Sequence, residues 1–228
     1  MINAPSIANC DLLNMAKQID ELIAGNVRFL HIDLTDGHYV PNLLFPTSIV
    51  KAIKTKYPDI IADVHLMVTN PQDYISQLKE YGADYVSFHI DSTNFSIRLL
   101  RDIRSKGMKA GVVINPSQKI DIIEPLVNYL DYVVLMTVEP GFAGQKFMEG
   151  SLERLAELNM LRKRTKTKFL ISIDGGIDYP NSVESLKRGA EILVTGIYTV
   201  FNQSDSLTDA CIRFEKEMGG NNLDNSVS

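Results

Sequence analysis

The sequence predicts a single α/β domain with a (β/α)8 barrel fold, and three observations carry that prediction. Short apolar runs alternate with amphipathic stretches along the chain, and no linker-like segment interrupts them. The apolar runs are nearly continuous and rich in β-branched residues, as is typical of parallel strands buried on both faces. Eight such runs in 228 residues suit a barrel that usually needs about 250. An open doubly wound sheet is the alternative, but no G-x-G-x-x-G follows the first strand.

The predicted strands follow one another in chain order, and several begin soon after a glycine. Gly25, Gly82, Gly107 and Gly189 each end a helical stretch, in the position where a left-handed residue often follows the last turn. The eight predicted strands are 3–8, 29–34, 60–67, 85–90, 110–115, 132–137, 169–174 and 192–196.

Amphipathic stretches between these strands predict the helices. The clearest is NPQDYISQLKEYG, in which Asn70 is a candidate N-cap, Pro71 occupies the first helical position and Gly82 ends the helix. The barrel is predicted to span residues 1–216. The polar segment 217–228, rich in Gly, Asn and Ser, is predicted to be a disordered tail.

Composition and charge exclude several classes of partner. The net charge is −5, the pI is about 5.4 and no basic run stands out, so we expect no nucleic-acid or membrane partner. No apolar run reaches the roughly 20 residues of a membrane helix, and the first residues lack the features of a signal peptide. Cys10 and Cys211 lie far apart in sequence, which favours a reduced, cytoplasmic location.

The candidate chemistry begins at HIDLTDGHYVPN, residues 31–42. His31 and Asp33 are two residues apart on a predicted strand, so their side chains share one face. The apolar residues 30, 32 and 34 then point the other way, towards the outer helices. The polar pair is therefore predicted to face the barrel interior, near the carboxyl end of the strand, where barrel chemistry collects.

Two further strands add a second pair of polar side chains. His65 lies in the third predicted strand and Asp174 ends the seventh. Together with His31 and Asp33 they offer imidazole and carboxylate ligands to a divalent metal. Any one of these histidines, taken alone, is more often a hydrogen-bonded core residue. Two aspartates that share one mouth, however, need a cation between them.

Glycine-rich turns after late strands predict an anion site. PGFAGQ at 140–145, DGG at 174–176 and TG at 195–196 follow the sixth, seventh and eighth strands. In this fold, loops in that sector commonly bind phosphate through backbone N–H groups. Each turn alone is weak evidence, but the three together favour an anionic ligand.

At this point the motifs HIDLTDGHYVPN, DVHLMV, MTVEPGFAGQKF and IDGG, in that order, resemble the ribulose-phosphate 3-epimerase family. The resemblance runs from Ser6 to about Phe201. It implies a TIM barrel that epimerises carbon-3 of a phosphorylated ketose with one divalent metal ion (Zn, Fe, Mn, Co or Mg). It also implies a homo-oligomer, either a dimer or a hexamer. The implied metal ligands are His31, Asp33, His65 and Asp174, and the implied substrate-binding residues are Ser6, Met67, Met136, Gly141, Phe142, Ala143, Gly144, Gly175, Gly176, Gly196 and Ile197.

The sequence departs from the family pattern at two places. Thr35 stands where the family usually has a methionine, while Met67 and Met136 match the other two site methionines. Ile197 stands where many members have a serine, so a side-chain hydroxyl is missing beside the predicted phosphate site.

The substrate prediction is divided between two branches of the family. HLMVTNPQDYISQL, PGFAGQ and the spacing from Gly196 to Phe201 and Asn202 resemble D-allulose-6-phosphate 3-epimerase. The DGG turn has the form seen in the ribulose enzymes. The sequence therefore favours interconversion of D-allulose 6-phosphate and D-fructose 6-phosphate, with D-ribulose 5-phosphate and D-xylulose 5-phosphate as the alternative.

Inversion at carbon-3 needs proton transfer on both faces of a planar enediolate, and two opposed carboxylates meet that need. We therefore predict Asp33 as the base in one direction and Asp174 as the acid. His38 and His89 are predicted to be structural, and Asp36 is either a loop-capping or second-layer residue or simply exposed. A non-catalytic sugar-phosphate-binding barrel and a metal-dependent aldolase on the same fold remain alternatives.

Overall fold

Eight parallel strands form one sheet that curls into a barrel, as predicted. The computed structural model describes residues 1–219. The sheet order is β1-β8-β7-β6-β5-β4-β3-β2, and a bridge between Ser6 and His31 joins the end of the first strand to the second. The strands are β1 (Ile2–Pro5), β2 (Phe29–Thr35), β3 (Ile61–Met67), β4 (Tyr85–His89), β5 (Lys109–Ile114), β6 (Tyr132–Met136), β7 (Leu170–Asp174) and β8 (Ile192–Thr195).

Helices connect successive strands on the outside of the barrel. They are α1 (Met15–Ala24), α2 (Ser48–Lys56), α3 (Ile75–Glu80), α4 (Ser96–Ser105), α5 (Ser151–Thr165), α6 (Tyr179–Lys187) and α7 (Leu207–Glu217). Short 3₁₀ turns occupy Ile7–Asn9 and Pro71–Asp73. Between β5 and β6 the connection is a longer 3₁₀ segment, Ile120–Tyr129. Pro125 lies inside it, and a proline removes the backbone donor that a regular α-helix needs there.

Two local predictions differ from the structure. Asn70 makes no side-chain capping bond, and a 3₁₀ turn at Pro71–Asp73 precedes α3. Gly25 is not left-handed, since its φ is −82°; Asn26, with φ of 68°, takes that conformation instead. Gly25 lacks a side chain for another reason: a Cβ atom there would lie 2.7 Å from the Cβ of Cys211 on α7.

The barrel wall separates two groups of buried apolar side chains. The larger group lies between strands and helices and includes Leu30, Ile32 and Leu34, which are the outward-facing residues of β2. The smaller group fills the barrel interior. Tyr85 and Tyr132 pack there edge to face, with ring centroids 5.3 Å apart. The two rings form an aromatic floor beneath the buried polar side chains of β2 and β3.

The ends of the chain and its helices bear on two further predictions. The last helix ends at Glu217, and the predicted disordered tail lies outside the described residues from 220 onward. Within residues 1–219, no helix has both the length and the apolar character that a membrane crossing requires.

Candidate active site and metal centre

Four side chains from β2, β3 and β7 meet at the carboxyl ends of the strands. Asp33 Oδ1 lies 3.1 Å from His65 Nδ1 and 3.3 Å from His31 Nε2. Asp174 Oδ2 lies 3.5 Å from His65 Nδ1 and 3.6 Å from His31 Nε2. One ligand atom from each residue falls within 4.8 Å of all the others. The structure therefore brings together the four residues that the sequence predicted as metal ligands.

The parallel register of β2 and β3 explains this convergence. His31 pairs with Asp63, and Asp33 pairs with His65. Side chains at every second position of a strand point to the same face, so all four point into the barrel. Each imidazole on one strand consequently stands beside a carboxylate on the next, and the barrel curvature brings Asp174 across from β7.

The orientation of the two imidazoles fits a bound cation. His31 Nδ1 is 2.8 Å from Asp63 Oδ2, so this nitrogen donates its proton there. Among residues 1–219, the buried His31 Nε2 has no hydrogen-bond partner, which leaves its lone pair directed at the carboxylates of Asp33 and Asp174. Two imidazole nitrogens and two carboxylate oxygens form a donor set that suits a divalent transition metal.

The protonation preferences of the cluster reflect the same need for positive charge. Burial opposes a charged imidazole at His31, but Asp33, Asp174 and Asp63 outweigh that effect and raise its pKa well above the usual range. The pKa of His65 is also raised, because Asp174 and Asp33 outweigh burial there. Burial likewise opposes a charged carboxylate at Asp33, yet His31 and His65 hold its pKa well below the usual range. The two carboxylates thus attract protons to the imidazoles at positions where a metal cation would supply the charge.

Asp63 is a functional candidate that the sequence interpretation missed. It is fully buried beneath the site, where it accepts hydrogen bonds from His31 and from the Tyr132 hydroxyl, both at 2.8 Å. Such a carboxylate fixes the tautomer and ring orientation of a metal-binding histidine. The signal was available: Asp63 precedes His65 by two residues, the same spacing that singled out His31 and Asp33.

A cavity of about 160 Å³ opens above the cluster at the mouth of the barrel. Among its lining residues are Thr35 and Leu44, from the segment that follows the metal-site strand β2. The predicted substrate-binding residues are all brought to this cavity: Ser6, Met67, Met136, Gly141, Phe142, Ala143, Gly144, Gly175, Gly176, Gly196 and Ile197. Ser6 also donates a 2.7 Å hydrogen bond to Asp33 Oδ2.

The glycine-rich loop after β6 is held between its neighbours. Asn42 Nδ2, from the loop after β2, donates to the Gly141 carbonyl at 2.8 Å. The Tyr198 hydroxyl, from the loop after β8, donates to the Gly144 carbonyl at 2.8 Å. These two hydrogen bonds hold the loop over the cavity. Sequence analysis missed both, because they depend on how three loops meet in space.

The walls of the cavity offer an anion no lysine or arginine among the described residues. Lys146, just past the first loop, is exposed. Backbone N–H groups of the glycine-rich turns are thus the available anion donors. Gly175 and Gly176 adopt φ values of 115° and 63°, conformations that residues with a side chain rarely reach.

The structure also places the three polar residues whose roles the sequence left open or structural. His38 is exposed in the loop after β2. Asp36 is partly buried and accepts hydrogen bonds of 2.7–2.8 Å from Thr69, His38 and Tyr39. It therefore caps this loop and joins it to the loop after β3. His89 is buried, and its Nε2 lies 2.9 Å from His65 Nε2.

Comparison with known proteins identifies the family of this chain. The profile of the ribulose-phosphate 3 epimerase family matches residues 2–201. A ribulose-phosphate 3-epimerase from Aquifex aeolicus is 43% identical over 193 residues, which are 85% of this chain and 86% of the relative. The Bacillus subtilis enzyme of the same name is 38% identical over 203 residues, which are 89% of this chain and 93% of the relative.

A solved structure supports the fold at much lower sequence similarity. The 3-hexulose-6-phosphate synthase from Salmonella typhimurium superposes with a TM-score of 0.73 at 15% identity, covering 97% of this chain and all of the other. At that identity the likeness extends to the barrel fold alone. The family profile and the sequence relatives show more than the fold. This chain belongs to the ribulose-phosphate 3 epimerase family and is an isomerase of the epimerase class.

Proposed function

We propose that this enzyme interconverts D-ribulose 5-phosphate and D-xylulose 5-phosphate by inverting carbon-3. One observation carries the reaction type: Asp33 and Asp174 reach the same two imidazoles from strands β2 and β7, at the floor of a cavity with glycine-rich walls. The names of the curated relatives favour this substrate over D-allulose 6-phosphate, which the loop motifs had favoured. Allulose 6-phosphate is therefore the second candidate.

The two carboxylates have complementary tasks in the proposed reaction. The proton on carbon-3 is acidic only because a ketone lies next to it, and its removal leaves a planar enediolate. Asp33 removes the proton on one face, and Asp174 delivers a proton to the opposite face; their roles exchange in the reverse direction. Ser6 holds Asp33 Oδ2 through a 2.7 Å hydrogen bond, which fixes the orientation of the base.

His31, Asp33, His65 and Asp174 are the residues that would hold the cofactor. A divalent cation bound to them supplies Lewis-acid stabilisation of the negative charge that develops when carbon-3 loses its proton. Two imidazole ligands suit zinc or iron better than magnesium or manganese, which prefer oxygen donors.

The cavity above the carboxylates positions the rest of the substrate. Backbone N–H groups of residues 141–144, 175–176 and 196–197 are proposed to bind the phosphate. Met67 and Met136 present apolar surface near the reacting carbon. Backbone donors are directional but carry no full charge, so phosphate binding mainly places carbon-3 between Asp33 and Asp174.

Parallel kinetics on ribulose 5-phosphate and allulose 6-phosphate test the proposal. We expect a higher kcat/KM for ribulose 5-phosphate, and exchange of its carbon-3 proton with deuterated solvent. A higher kcat/KM for allulose 6-phosphate would favour the second candidate. Binding without turnover or exchange would instead indicate a non-catalytic sugar-phosphate protein, and a carbon–carbon cleavage product would indicate an aldolase.

We also propose that the enzyme works in the cytoplasm as a homo-oligomer, a dimer or a hexamer. Cys10 and Cys211 are buried free thiols, which suits a reducing compartment. Burial raises the pKa of each thiol to about 12, so neither is a reactive nucleophile. Light scattering coupled to size-exclusion chromatography would measure the assembly state directly.

A further inference from the structure

A line of polar side chains leads from His65 to the protein surface on the side away from the carboxylates. His65 directs Nδ1 at Asp33 and Asp174, and its Nε2 lies 2.9 Å from Nε2 of His89. Both imidazoles are fully buried. Of two nitrogens at this distance, one donates and the other accepts. The direction of this single bond decides which nitrogen of His65 carries its proton.

The surface end of the line has a fixed direction. Asp91 is exposed, and its carboxylate oxygen is the acceptor at this end of the line. The Tyr39 hydroxyl donates its one proton to Asp91 Oδ1 at 2.8 Å. The same hydroxyl oxygen must then accept from Asn115, whose Nδ2 lies 2.8 Å away. The amide of Asn115 therefore presents its nitrogen to Tyr39 and its oxygen to the opposite side.

Asn115 itself is firmly held in this orientation. Its backbone N–H donates to Gln118 Oε1 at 2.9 Å, and its carbonyl accepts from Arg154 Nη2 at 2.9 Å. The side chain lies next to His89. Within the described residues, Asn115 Oδ1 and His89 Nδ1 are both buried atoms without a hydrogen-bond partner. We infer that these two buried atoms on neighbouring side chains satisfy each other, with Asn115 Oδ1 as the acceptor and the proton on His89 Nδ1.

The donor–acceptor direction fixed at Asp91 therefore determines the direction of each hydrogen bond along the line, as far as His65. With its proton on Nδ1, a neutral His89 offers only a lone pair at Nε2, and it accepts from His65 Nε2–H. When a metal ion displaces the proton that Asp33 and Asp174 attract to His65 Nδ1, the ring keeps its remaining proton on Nε2, and Nδ1 is free to bind the ion. We propose that four residues act as a positioning network that fixes the metal-binding tautomer of His65: His89, Asn115, Tyr39 and Asp91. The inference rests on the proposed function, because it takes His65 as a metal ligand.

The tautomers of the two metal-site histidines are thus fixed in different ways. His31 has the side chain of Asp63 directly against its second nitrogen, where a carboxylate oxygen accepts the Nδ1 proton. His65 has the neutral imidazole of His89 there, which can donate or accept. The direction of the His65–His89 hydrogen bond therefore depends on residues nearer the surface. The carboxylate of Asp91 fixes it, because it is the acceptor at the end of the line.

Zinc affinity of the purified metal-free protein, measured by competition with a chelator, tests the network without reference to catalysis. His89→Ala should weaken zinc binding by about 10-fold to 100-fold, the usual range when a ligand loses its outer partner. His89→Gln should recover part of this loss, because its amide oxygen accepts from His65. Tyr39→Phe retains the ring that stacks 4.5 Å from His89 and loses only the hydroxyl, so it should weaken binding in the same direction.

A matched control and a spectroscopic readout separate tautomer control from general structural damage. Ser92→Ala removes a hydroxyl that donates to the His89 carbonyl but lies outside the network, and it should bind zinc as the wild type does. The sequence has four histidines, so ¹⁵N-histidine spectra of the zinc-loaded protein can be resolved. They should show a protonated, exchange-protected Nε2 on His65 that loses protection in His89→Ala and Tyr39→Phe.

The outcomes distinguish this inference from the proposed function. If the wild type binds zinc but His89→Ala and Tyr39→Phe bind it equally well, with an unchanged His65 signal, the positioning network is wrong and the metal centre stands. If the wild-type protein does not bind zinc or any other divalent transition metal, the metal centre is overturned and the inference falls with it.

Discussion

Asp63 lies directly beneath His31, with 2.8 Å between Oδ2 and Nδ1, and both side chains are fully buried. The second oxygen of Asp63 accepts from the Tyr132 hydroxyl, also at 2.8 Å. Tyr132, at the base of the barrel interior, therefore fixes the position of the Asp63 carboxylate, and Asp63 in turn orients the His31 imidazole. This layering connects the packing of the barrel interior to the chemistry at its mouth.

Asp63→Asn is expected to reduce metal affinity by about 10-fold to 100-fold while the barrel stays folded. An amide is neutral, and it cannot accept from both His31 and Tyr132 as well as a carboxylate does. Chelator competition measures the loss, and far-UV circular dichroism checks the fold. Tyr132→Phe serves as the matched control: it removes one bond to Asp63 but leaves His31 paired, so its effect should be smaller. Equal effects of the two substitutions would contradict this layering.

His65→Ala should lose the metal and nearly all activity while retaining the fold. His65 is one of two imidazole ligands in the proposed set, and a rigid barrel does not depend on its site residues for folding. Metal content by elemental analysis, together with the circular dichroism spectrum, provides the check. A purified variant with unchanged metal stoichiometry would show that His65 is not a ligand.

Asp174→Asn should retain part of the metal affinity and block epimerisation, because an amide cannot carry the transferred proton. The expected loss of kcat is about 10²-fold to 10⁴-fold. Asp33 remains in this variant, so the carbon-3 proton of one epimer should still exchange with deuterated solvent, and that of the other should not. Wild-type turnover, or equal exchange from both epimers, would rule out the two-carboxylate scheme.

These site residues also show how far sequence reasoning reaches. Alternation along a strand predicted which side chains face inward, and the observed register brings His31, Asp33 and His65 together as expected. The same rule applied to Asp63 would have identified it. The hydrogen bonds from Asn42 and Tyr198 to the loop after β6 could not be predicted from alternation. Loop conformations depend on contacts between segments that are distant in sequence.

Local helix signals were less informative than strand alternation for a related reason. Asn70 and Pro71 form a common start signal for a helix, but that signal does not distinguish a 3₁₀ turn from an α-helix, and the structure has the former. Gly25 matched a cap pattern, whereas its contact with Cys211 on α7 is tertiary. Packing between elements thus decides the backbone conformation at Gly25, while the signal at Asn70 and Pro71 was ambiguous from the start.

The pH dependence of metal binding should follow from the raised pKa values of His31 and His65. Without metal these imidazoles hold protons, which a metal ion has to displace, so falling pH weakens binding. If both protons are displaced, the apparent dissociation constant rises by about 100-fold per pH unit within the titration range. Zinc titrations between pH 6 and pH 8 would measure it. A constant affinity over this range would contradict the prediction, and His38→Gln, at an exposed histidine, should leave the slope unchanged.

Thermal stability should show opposite trends with and without metal. A raised histidine pKa stabilises the metal-free fold below the unfolded value of about 6.5, and this contribution is lost as pH rises through the raised pKa. Bound metal instead stabilises more as its affinity increases with pH. The difference in Tm between the loaded and metal-free protein should therefore grow from pH 6 to pH 8. Calorimetric scans that show a shrinking difference would be inconsistent with proton–metal competition at these histidines.

Gly176→Ala should damage substrate binding through the loop after β6. Gly176 has φ of +63°, and a Cβ atom there would lie 2.3 Å from the Phe147 nitrogen and 2.7 Å from the Gln145 carbonyl oxygen. Both neighbours are backbone atoms, so the loop has to move, and with it the N–H groups of 141–144 proposed to bind the phosphate. We expect a higher KM for the sugar phosphate together with a lower kcat, because phosphate binding helps place carbon-3.

Gly150→Ala separates this displacement from backbone strain. Gly150 has a similar φ of +81°, yet no atom of the described residues lies within 4 Å of a Cβ atom placed there. Both variants bear the cost of a left-handed alanine, and only Gly176→Ala displaces the loop. Steady-state kinetics should therefore show a large increase in KM for Gly176→Ala and little change for Gly150→Ala. If both variants kept the wild-type KM for the phosphorylated ketose, this loop would not form the phosphate site, and the anion would have to bind elsewhere in the cavity.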